Sequence, residues 1–360
     1  MAEQSRLDVE LQKGFGPSNS SIPNEHITVI TILDNKKKLK DYALGLDTMR
    51  CYCRGRGYNY IQLDLSTNNS FDKACKKQHI WYRRHCVLAE ILKRAPVYNS
   101  SGTWFVAVDA DTGVINPRHK IQEWIDDTVD IIFYNRIWQF ELMAGIFMVK
   151  KGLLAEEFLM RWSAYPEIEP KSMVHYDNVV IHSVVMDMMK PQRPAERKIC
   201  DQLLSISTNF AEAFVYEACA RVVMRNMSFD GGKILIYKKG GSWCRDGWLT
   251  SSKWCPNDFF FHGWQIRSKT GHELYEQSIL SHTFKDSDCL PDNFLDAWQY
   301  NKSFMDSCEN IEAALKEHID RNDESFYVTM LKVQDFAAHH SYNGDFFSSF
   351  SAPWNQVVIA

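Results

Sequence analysis

Short β-branched runs alternate with longer amphipathic stretches in the first half of the chain. Residues 26–33, His-Ile-Thr-Val-Ile-Thr-Ile-Leu, are too few for a helix and apolar enough for a buried parallel strand. The same pattern predicts strands at residues 58–65, 104–108, 129–134 and 145–149. Amphipathic periodicity predicts helices at residues 78–95, 117–126, 153–162 and 178–189. This alternation predicts βαβ units, and hence an α/β fold with a mostly parallel central sheet flanked by helices.

The second half of the chain is less regular. A helix is predicted at residues 209–226 and a short strand at residues 233–237. Residues 240–264 are rich in Gly, Trp and Phe, and we expect this irregular, Trp-rich part to wrap the front of the sheet. Further helices are predicted at residues 291–298 and 311–319.

The predicted elements divide the chain into a flexible N-terminal tail or stem remnant (1–25), an α/β domain (26–290) and a helical extension (291–360). With 45% hydrophobic and 24% charged residues among 360, the composition is that of a globular protein and excludes a disordered chain or a membrane bundle. The net charge of -4 argues against a nucleic-acid partner bound through a basic face. No apolar run approaches the ~18 residues of a transmembrane helix, and the polar N-terminus does not resemble a signal peptide.

The cysteines and the glycosylation sequons are compatible with either the cytoplasm or the lumen of the secretory pathway. The chain has ten cysteines, none of them in a Cys-x-x-Cys pair. Asn-x-Ser sequons begin at Asn19, Asn68, Asn99, Asn226 and Asn301. Buried thiols and chance sequons fit a cytoplasmic chain that is complete as given. Disulfides and N-glycans instead fit the lumen of the secretory pathway, with a targeting segment or membrane anchor outside this chain.

The strongest candidate for chemistry is the pair Asp109 and Asp111, directly after the apolar run 104–108. Ligands of open α/β sheets bind beyond the carboxyl ends of the strands. Two carboxylates at such a place offer hard oxygen ligands to Mg²⁺ or Mn²⁺, which also take phosphate oxygens of a substrate. A strand-ending turn is the alternative, because Asp favours turns. A phosphatase of the haloacid dehalogenase type is disfavoured, because its motif requires Thr or Val where Gly113 stands.

Other polar residues lie at the ends of predicted elements or within them, and each has a structural as well as a functional interpretation. His262 follows three phenylalanines. It is either a nitrogen ligand of a metal ion or a core histidine bonded to a backbone carbonyl. Arg84 and the neighbouring His85 lie on the predicted helix 78–95, where a guanidinium suits either a phosphate or a solvated face. Asp177 and Asn178 open the next predicted helix, where they either face a pocket or cap the helix.

Aromatic clustering and absent motifs narrow the choice of function. Four tryptophans within residues 243–264 fit either a sugar-stacking surface or a packed core. They are Trp243, Trp248, Trp254 and Trp264. The sequence has no Walker phosphate loop, no Gly-x-Gly-x-x-Gly, no Gly-x-Ser-x-Gly and no His-Glu-x-x-His. It therefore disfavours a P-loop enzyme, a dinucleotide oxidoreductase, a serine hydrolase and a zincin.

Several of these stretches, taken together, resemble the GT-A glycosyltransferases. The most specific is Trp-Phe-Val-Ala-Val-Asp-Ala-Asp-Thr-Gly-Val-Ile-Asn-Pro over residues 104–117. More narrowly, the chain resembles a nematode-expanded family of nucleotide-sugar transferases, distantly similar to fungal and plant galactosyl-, mannosyl- and xylosyltransferases of the retaining kind. The other matching stretches are residues 84–86, 129–134, 141–149, 176–178, 245–250 and 262–264. The resemblance covers roughly residues 26–290 and implies a GT-A nucleotide-sugar transferase domain there.

The resemblance also implies roles for individual residues. The implied ligands of Mn²⁺ (or Mg²⁺) on the donor diphosphate are Asp109, Asp111 and His262. The residues implied to contact the UDP-sugar donor are Thr31, Arg84, His85, Ala144, Gly145 and Trp264. The implied catalytic pair is Asp177 and Asn178. Ahead of this pair the chain has Val-His-Tyr at residues 174–176 where the family has His-Gly-Thr, a departure that concerns the sugar or acceptor pocket.

The activity implied by the resemblance is that of a UDP-sugar-dependent hexosyltransferase of the Golgi lumen. We expect galactose as the sugar, a glycan or glycoprotein as the acceptor, and retention of the anomeric configuration. A catalytically inactive carbohydrate-binding protein on the same fold is the alternative. The changed residues ahead of Asp177 keep this alternative open, whereas the presence of Asp109, Asp111 and His262 favours the enzyme.

Overall fold

The computed structural model describes most of the chain. The described residues are 22–34, 36–76, 78–96, 102–167, 177–188, 194–224, 234–264, 279–281, 283–340 and 357–359. They form two compact units. The first unit holds the described residues of Met1–Asn68, Val97–Asp127 and Ser242–Glu317. The second holds those of Asn69–Pro96, Thr128–Gly241 and His318–Ala360.

Parallel strands form the first sheet of the first unit. Strand β1 (Ile27–Leu33) lies between β3 (Trp104–Ala107) and β2 (Asn59–Asp64), and it is parallel to both. Helix α1 (Ala43–Arg56) connects β1 to β2. It ends at Gly57, whose φ of 75° is in the left-handed region that glycine adopts without strain. The three strands lie where the hydrophobic pattern predicts them.

A second, three-stranded sheet of the same unit is built from short segments. Strand β9 (Phe260–His262) lies between β4 (Thr112–Val114), to which it is antiparallel, and β8 (Cys244–Asp246), to which it is parallel. Helix α1 packs against β4. Of these three strands, the sequence indicates only the apolar run of phenylalanines that leads to His262. Strands β4 and β8 are not predicted, because a run of three residues carries no recognisable period.

The strands of the second unit follow the order β10-β7-β5-β6. Their bounds are β5 (Ile131–Tyr134), β6 (Phe147–Lys150), β7 (Ile234–Tyr237) and β10 (Val357–Ile359). Strand β5 is parallel to β7, whereas β6 is antiparallel to β5 and β10 is antiparallel to β7. Strands β5, β6 and β7 match predicted strands to within two residues at each end.

Helices surround the strands of the second unit. They are α2 (Ile80–Arg94), α3 (Leu153–Ala164), α4 (Asp177–Met188), α5 (Pro194–Ile206) and α6 (Phe210–Met224). Helix α2 packs against α3, and α6 packs against both α4 and α5. The predicted α/β class, with a mostly parallel sheet flanked by helices, is confirmed. Of these helices, the sequence pattern does not predict α5.

The predicted helix over residues 117–126 is wrong. Only Ile121–Trp124 form a single 3₁₀ turn there. The Arg56 guanidinium donates hydrogen bonds to the carbonyls of Pro117 and Arg118, so these carbonyls bond a neighbouring helix instead of their own. Tertiary hydrogen bonds thus replace the local ones that a helix would need.

Two predictions near the C-terminus are corrected in opposite directions. The predicted helix over 291–298 is reduced to a 3₁₀ turn at Phe294–Ala297. The predicted helix over 311–319 instead belongs to the 32-residue helix α7 (Cys308–His339). The buried stripe of α7 includes Asn322 and Thr329 among its apolar residues, and these polar members interrupt the hydrophobic period on which the prediction depends.

Further 3₁₀ turns complete the described secondary structure. They lie at Asn24–His26, Lys36–Tyr42, Tyr165–Glu167, Gly247–Thr250, Asp286–Cys289 and Lys302–Phe304. No helix among the described residues is both long and apolar enough to span a membrane. The division into parts at residues 25 and 290 stays a prediction, and residues 1–21 of the predicted tail lie outside the described residues.

Eight of the ten cysteines form disulfides. The pairs are Cys51–Cys289, Cys75–Cys86, Cys200–Cys219 and Cys255–Cys308. The remaining two, Cys53 and Cys244, are buried thiols. Disulfides persist in oxidising compartments, so this pairing is consistent with the secretory-pathway lumen.

The pairing predicts which thiols react. In urea without reductant, we expect an alkylating reagent to modify only Cys53 and Cys244, whereas prior reduction exposes all ten cysteines. In the native protein, burial raises the pKa of the Cys53 thiol, so we expect this cysteine to react slowly. Peptide mass spectrometry measures the labelling. A label on Cys75 or Cys289 in the unreduced chain would contradict the pairing.

Candidate functional site

The predicted metal ligands Asp109, Asp111 and His262 converge in the first unit. The His262 Nε2 atom lies 3.6 Å from Asp111 Oδ1 and 4.0 Å from Asp109 Oδ2. One ligand atom from each residue lies within 4.8 Å of the other two. Among the described residues, this is the one group of three or more His, Cys, Asp or Glu side chains with such a spacing.

The three side chains fit a divalent cation. Ligand atoms that share an ion at about 2.1 Å lie at most about 4.2 Å apart, and both distances from His262 Nε2 meet this limit. Two carboxylates and one imidazole form a mixed oxygen and nitrogen donor set, which suits Mn²⁺ well and Mg²⁺ through its oxygens. The side chains are 16–28% exposed, so further ligands can reach the ion from solvent.

The chain brings these ligands together through both sheets of the first unit. Asp109 and Asp111 lie on the short connection between the end of β3 and the start of β4. His262 ends β9, where it is the register partner of Thr112 in β4. The backbone N–H of Trp264 donates a 2.6 Å hydrogen bond to the carbonyl of Asp111, which closes the loop after His262.

The loop after His262 depends on two glycines. Gly263 has a φ of 86°, a left-handed conformation that a residue with a Cβ rarely adopts. Gly113 packs directly beneath the Trp264 ring, and a Cβ there would overlap the ring. Trp264 itself is 2% exposed. The structure therefore places Trp264 as a buried support for the Asp111 loop.

Replacing Gly113 by Ala is expected to lower the free energy of unfolding by about 1–3 kcal/mol, because the added methyl group forces the Trp264 ring to move. Thermal unfolding and tryptophan fluorescence measure the two effects. Gly152→Ala is the matched control. The nearest atom to a Cβ there is the Lys150 carbonyl oxygen at 4.0 Å, so the methyl group overlaps nothing. Because Gly152 is the N-cap of α3, where Ala is less favourable than Gly, we expect a loss of at most about 1 kcal/mol. Equal stability of the two variants would show that Trp264 adapts without cost.

Two further residues of the centre are absent from the predicted site. The Asp246 carboxylate lies 2.7 Å from His262 Nδ1, on the side of the ring opposite to Nε2. Burial, together with the nearby carboxylates of Asp111, Asp41 and Asp109, raises the pKa of Tyr42 to about 12. Asp246 belongs to the 245–250 stretch that the resemblance includes without a role, whereas no sequence signal singles out Tyr42.

The second unit brings together a different set of predicted residues. An Arg84 Nη2 donates a 2.5 Å hydrogen bond to Asp177 Oδ2 and a 3.3 Å hydrogen bond to the Ala144 carbonyl. His85 Nε2 lies 3.3 Å from the same Asp177 oxygen, and its ring stacks on Trp162 at 3.6 Å. These contacts enclose the Asp177 carboxylate, whose side chain is 7% exposed.

Charge states in this cluster follow from burial and from Arg84. Burial by itself raises the pKa of Asp177, but the Arg84 cation and the His85 hydrogen bond more than offset it, so the Asp177 pKa is lowered. Burial lowers the pKa of His85 to about 4, with Arg84 adding to the effect and Asp177 opposing it. At neutral pH the cluster is an ionised Asp177, a cationic Arg84 and a neutral His85.

The remaining predicted residues also have defined places. The Ala144 N–H donates a 3.1 Å hydrogen bond to Asn178 Oδ1, which fixes the chain beside the buried Gly145. Thr31 is buried within β1, two residues before its end. Trp243 and Trp254 are buried, whereas Trp248 is partly exposed. Most of the tryptophan cluster is therefore core. Tyr176 lies outside the described residues.

The chain is similar to one protein family and to a solved structure. A family model described as "Protein of unknown function, DUF273" matches residues 49–278. Among solved structures, the crystal structure of a glycosyltransferase involved in the glycosylation of the major capsid of PBCV-1 matches with a TM-score of 0.34. The sequences are 18% identical, over 43% of this chain and 73% of that chain. A similarity at this level assigns no activity to this chain. No curated protein matches it.

Proposed function

The chain belongs to DUF273, a family of proteins of unknown function, and we propose that it is a metal-dependent glycosyltransferase. The proposed reaction moves a hexose from a UDP-sugar to a glycan or glycoprotein acceptor. The observation that carries the proposal is the convergence of Asp109, Asp111 and His262 directly after strand β3. Two carboxylates and an imidazole suit an Mn²⁺ or Mg²⁺ ion that also takes diphosphate oxygens.

Breaking the bond between the sugar and UDP leaves a diphosphate with additional negative charge. A bound divalent ion supplies Lewis-acid stabilisation of that leaving group. Asp109, Asp111 and His262 would hold that ion, and they are placed for it by the end of β3 and by β9. Tyr42 is protonated at neutral pH, as an unperturbed tyrosine is, and burial with the nearby carboxylates raises its pKa further, to about 12.

We propose for Asp177 and Asn178 the catalytic roles that the resemblance implies. The ionised Asp177 carboxylate is suited to stabilising an electron-poor sugar, and Arg84 with His85 holds it in one orientation. Asn178 fixes the backbone of Ala144 through its amide oxygen. UDP-galactose as donor and retention as the stereochemical outcome rest on the resemblance alone.

The test is release of UDP by the purified full chain with Mn²⁺ from UDP-galactose, UDP-glucose and UDP-N-acetyl sugars. We expect turnover of one donor, and we expect EDTA to abolish it. Asp292→Asn, at an exposed carboxylate of the first unit, is the control that leaves turnover unchanged. No turnover of any donor, together with glycan binding that EDTA does not alter, would favour an inactive carbohydrate-binding protein instead.

We propose the Golgi lumen as the compartment, on the basis of the four disulfides. The sequon at Asn301 allows a test of whether the folded chain is compatible with the N-glycosylation of that compartment. Its Oδ1 accepts hydrogen bonds from the N–H and the hydroxyl of Ser303, at 3.2 and 2.9 Å. A glycan is attached through Nδ2, so these two bonds survive the modification.

In a secretory host we expect an N-glycan at Asn301 that peptide-N-glycosidase removes. Asn301→Gln and Ser303→Ala are expected to remove the same glycan, because each destroys the sequon. Gel mobility and glycopeptide mass measure the result. The sequon at Asn68 is the second one on the described chain, whereas Asn19, Asn99 and Asn226 lie outside the described residues. A secreted chain without any glycan at Asn301 would contradict the prediction.

A further inference from the structure

Asp246 contacts the histidine of the candidate metal centre through the ring nitrogen that does not face the two carboxylate ligands. Asp246 ends strand β8 and is the register partner of His262 in the parallel strand β9. Its Oδ1 lies 2.7 Å from His262 Nδ1, and its side chain is 5% exposed. A carboxylate at this distance accepts a hydrogen bond from Nδ1–H, which is shielded here from competing water.

This hydrogen bond decides which nitrogen of His262 is available to a metal. A neutral imidazole carries one proton, and a proton held on Nδ1 leaves the lone pair on Nε2. Nε2 is the atom that faces Asp111 at 3.6 Å and Asp109 at 4.0 Å. Asp246 contacts the ring from the opposite side, so the carboxylate is placed to orient the ligand rather than to bind the ion.

The position of Asp246 is itself held by its neighbour in the chain. Arg245 donates hydrogen bonds to both carboxylate oxygens of Asp258, at 2.5 and 2.9 Å, and a third to Thr250 Oγ1 at 2.8 Å. Its guanidinium also lies 4.4 Å from the Phe261 ring centre, next to His262. This buried ion pair fixes β8 against β9, and Asp246 with it.

We propose that Asp246 is a positioning residue of the metal centre, which holds His262 in the tautomer and orientation that present Nε2 to a divalent cation. The inference rests on the proposed function, because it requires that the three side chains bind a metal. Carboxylates that hold a metal-binding histidine in this way contribute about 10- to 100-fold to metal affinity. This role also gives a function to Asp246 within the 245–250 stretch, which the family resemblance includes without assigning it a role.

The test measures Mn²⁺ affinity by the electron paramagnetic resonance of free Mn²⁺ in titrations of the full chain. We expect Asp246→Asn to weaken binding about 10- to 100-fold. Glu123→Gln is the matched control, because it changes a carboxylate that contacts a different histidine of the first unit, His119, at 2.8 Å and that takes no part in the metal centre. We expect its folded form to bind Mn²⁺ as tightly as the wild type.

A double-mutant cycle separates positioning from a general structural effect. In a His262→Gln background, Asp246→Asn is expected to cause no further loss of Mn²⁺ affinity, because the carboxylate acts only through the histidine. In the metal-free protein, at a pH high enough to keep the imidazole neutral, the side-chain ¹⁵N shifts of His262 are expected to report a proton on Nδ1 in the wild type. We expect this preference to be lost in Asp246→Asn.

The outcomes distinguish the two proposals. A wild-type chain that binds no Mn²⁺ overturns both the metal centre and the role of Asp246. Tight binding by the wild type with equal affinity in Asp246→Asn overturns the role of Asp246 alone. Additive losses in the cycle, or equal losses in Asp246→Asn and Glu123→Gln, also overturn it, because they indicate a general effect on the fold.

Discussion

Replacing Asp111 by Asn is expected to lower Mn²⁺-dependent turnover of the UDP-sugar about 100- to 1000-fold. The substitution removes one anionic ligand from the group formed with Asp109 and His262. Lewis-acid stabilisation of a leaving group is worth several kcal/mol, and each 1.36 kcal/mol corresponds to a tenfold change in rate. The UDP-release assay with the preferred donor measures this effect.

The same substitution is expected to leave the metal-free protein folded. The Asp111 side chain is 20% exposed, and without a metal it lies close to a second carboxylate, Asp109. Removing one of two like charges stabilises the metal-free state or leaves it unchanged. In the wild type, Mn²⁺ is expected to raise the melting temperature, and in Asp111→Asn this increase is lost. Turnover in Asp111→Asn that equals the wild type and still requires metal would exclude Asp111 as a ligand.

Replacing Asp177 by Asn is expected to lower the free energy of unfolding by about 3–5 kcal/mol at pH 7. The change leaves the Arg84 guanidinium charged and 14% exposed without its 2.5 Å carboxylate partner. His85 offers no replacement, because it is neutral at pH 7 and stacked on Trp162. Urea unfolding followed by circular dichroism measures the loss.

The effect of Asp177→Asn depends on pH in a defined direction. The Asp177 pKa in the folded chain is lowered below the value of 3.8 for an unperturbed carboxyl, so its ionised form stabilises the fold above that value. This stabilisation is lost as the pH falls through the folded pKa. The difference between wild type and variant is therefore full at pH 7 and is expected to shrink below about pH 4. A difference that stays constant to low pH would contradict the ion pair.

Two further variants separate the stability of this cluster from its chemistry. Asp187→Asn, elsewhere on helix α4, breaks a more exposed pair with Arg197 and a 3.7 Å contact with Arg161, and it is expected to cost less than Asp177→Asn. The double variant Arg84→Met with Asp177→Leu removes both charges and is expected to recover part of the lost stability. If the double variant regains stability without turnover, the pair is needed for the reaction. If it regains both, the pair is structural.

Much of the fold follows from local hydrophobic patterns. Strands β1, β2 and β3 and helix α2 lie within two residues of their predicted ends, because each buries a continuous or periodic apolar surface. The predicted helix at 117–126 is wrong because a distant partner, and not the local pattern, decides the conformation there. Its carbonyls bond the distant Arg56 guanidinium, and no local pattern records such a partner.

The residues of the candidate metal centre also differ in how far the sequence alone predicts them. Asp109 and Asp111 are visible in the sequence, because two carboxylates directly follow an apolar strand. His262 is recognisable only beside a family resemblance, since an isolated histidine after an apolar run fits a core position equally well. The structure brings it to the carboxylates through the pairing of β4 with β9.

By itself, the sequence determined the α/β class, the main strands and helices, and the two carboxylates, because these depend on neighbours a few positions away in the chain. Only the tertiary structure decided the disulfide pairs, the short sheet that carries His262, and the contact of Asp246 with the His262 ring. Those features depend on pairing between segments far apart in the chain. Such pairing is set by the sum of many packing and hydrogen-bond contacts, and no single stretch of residues encodes it.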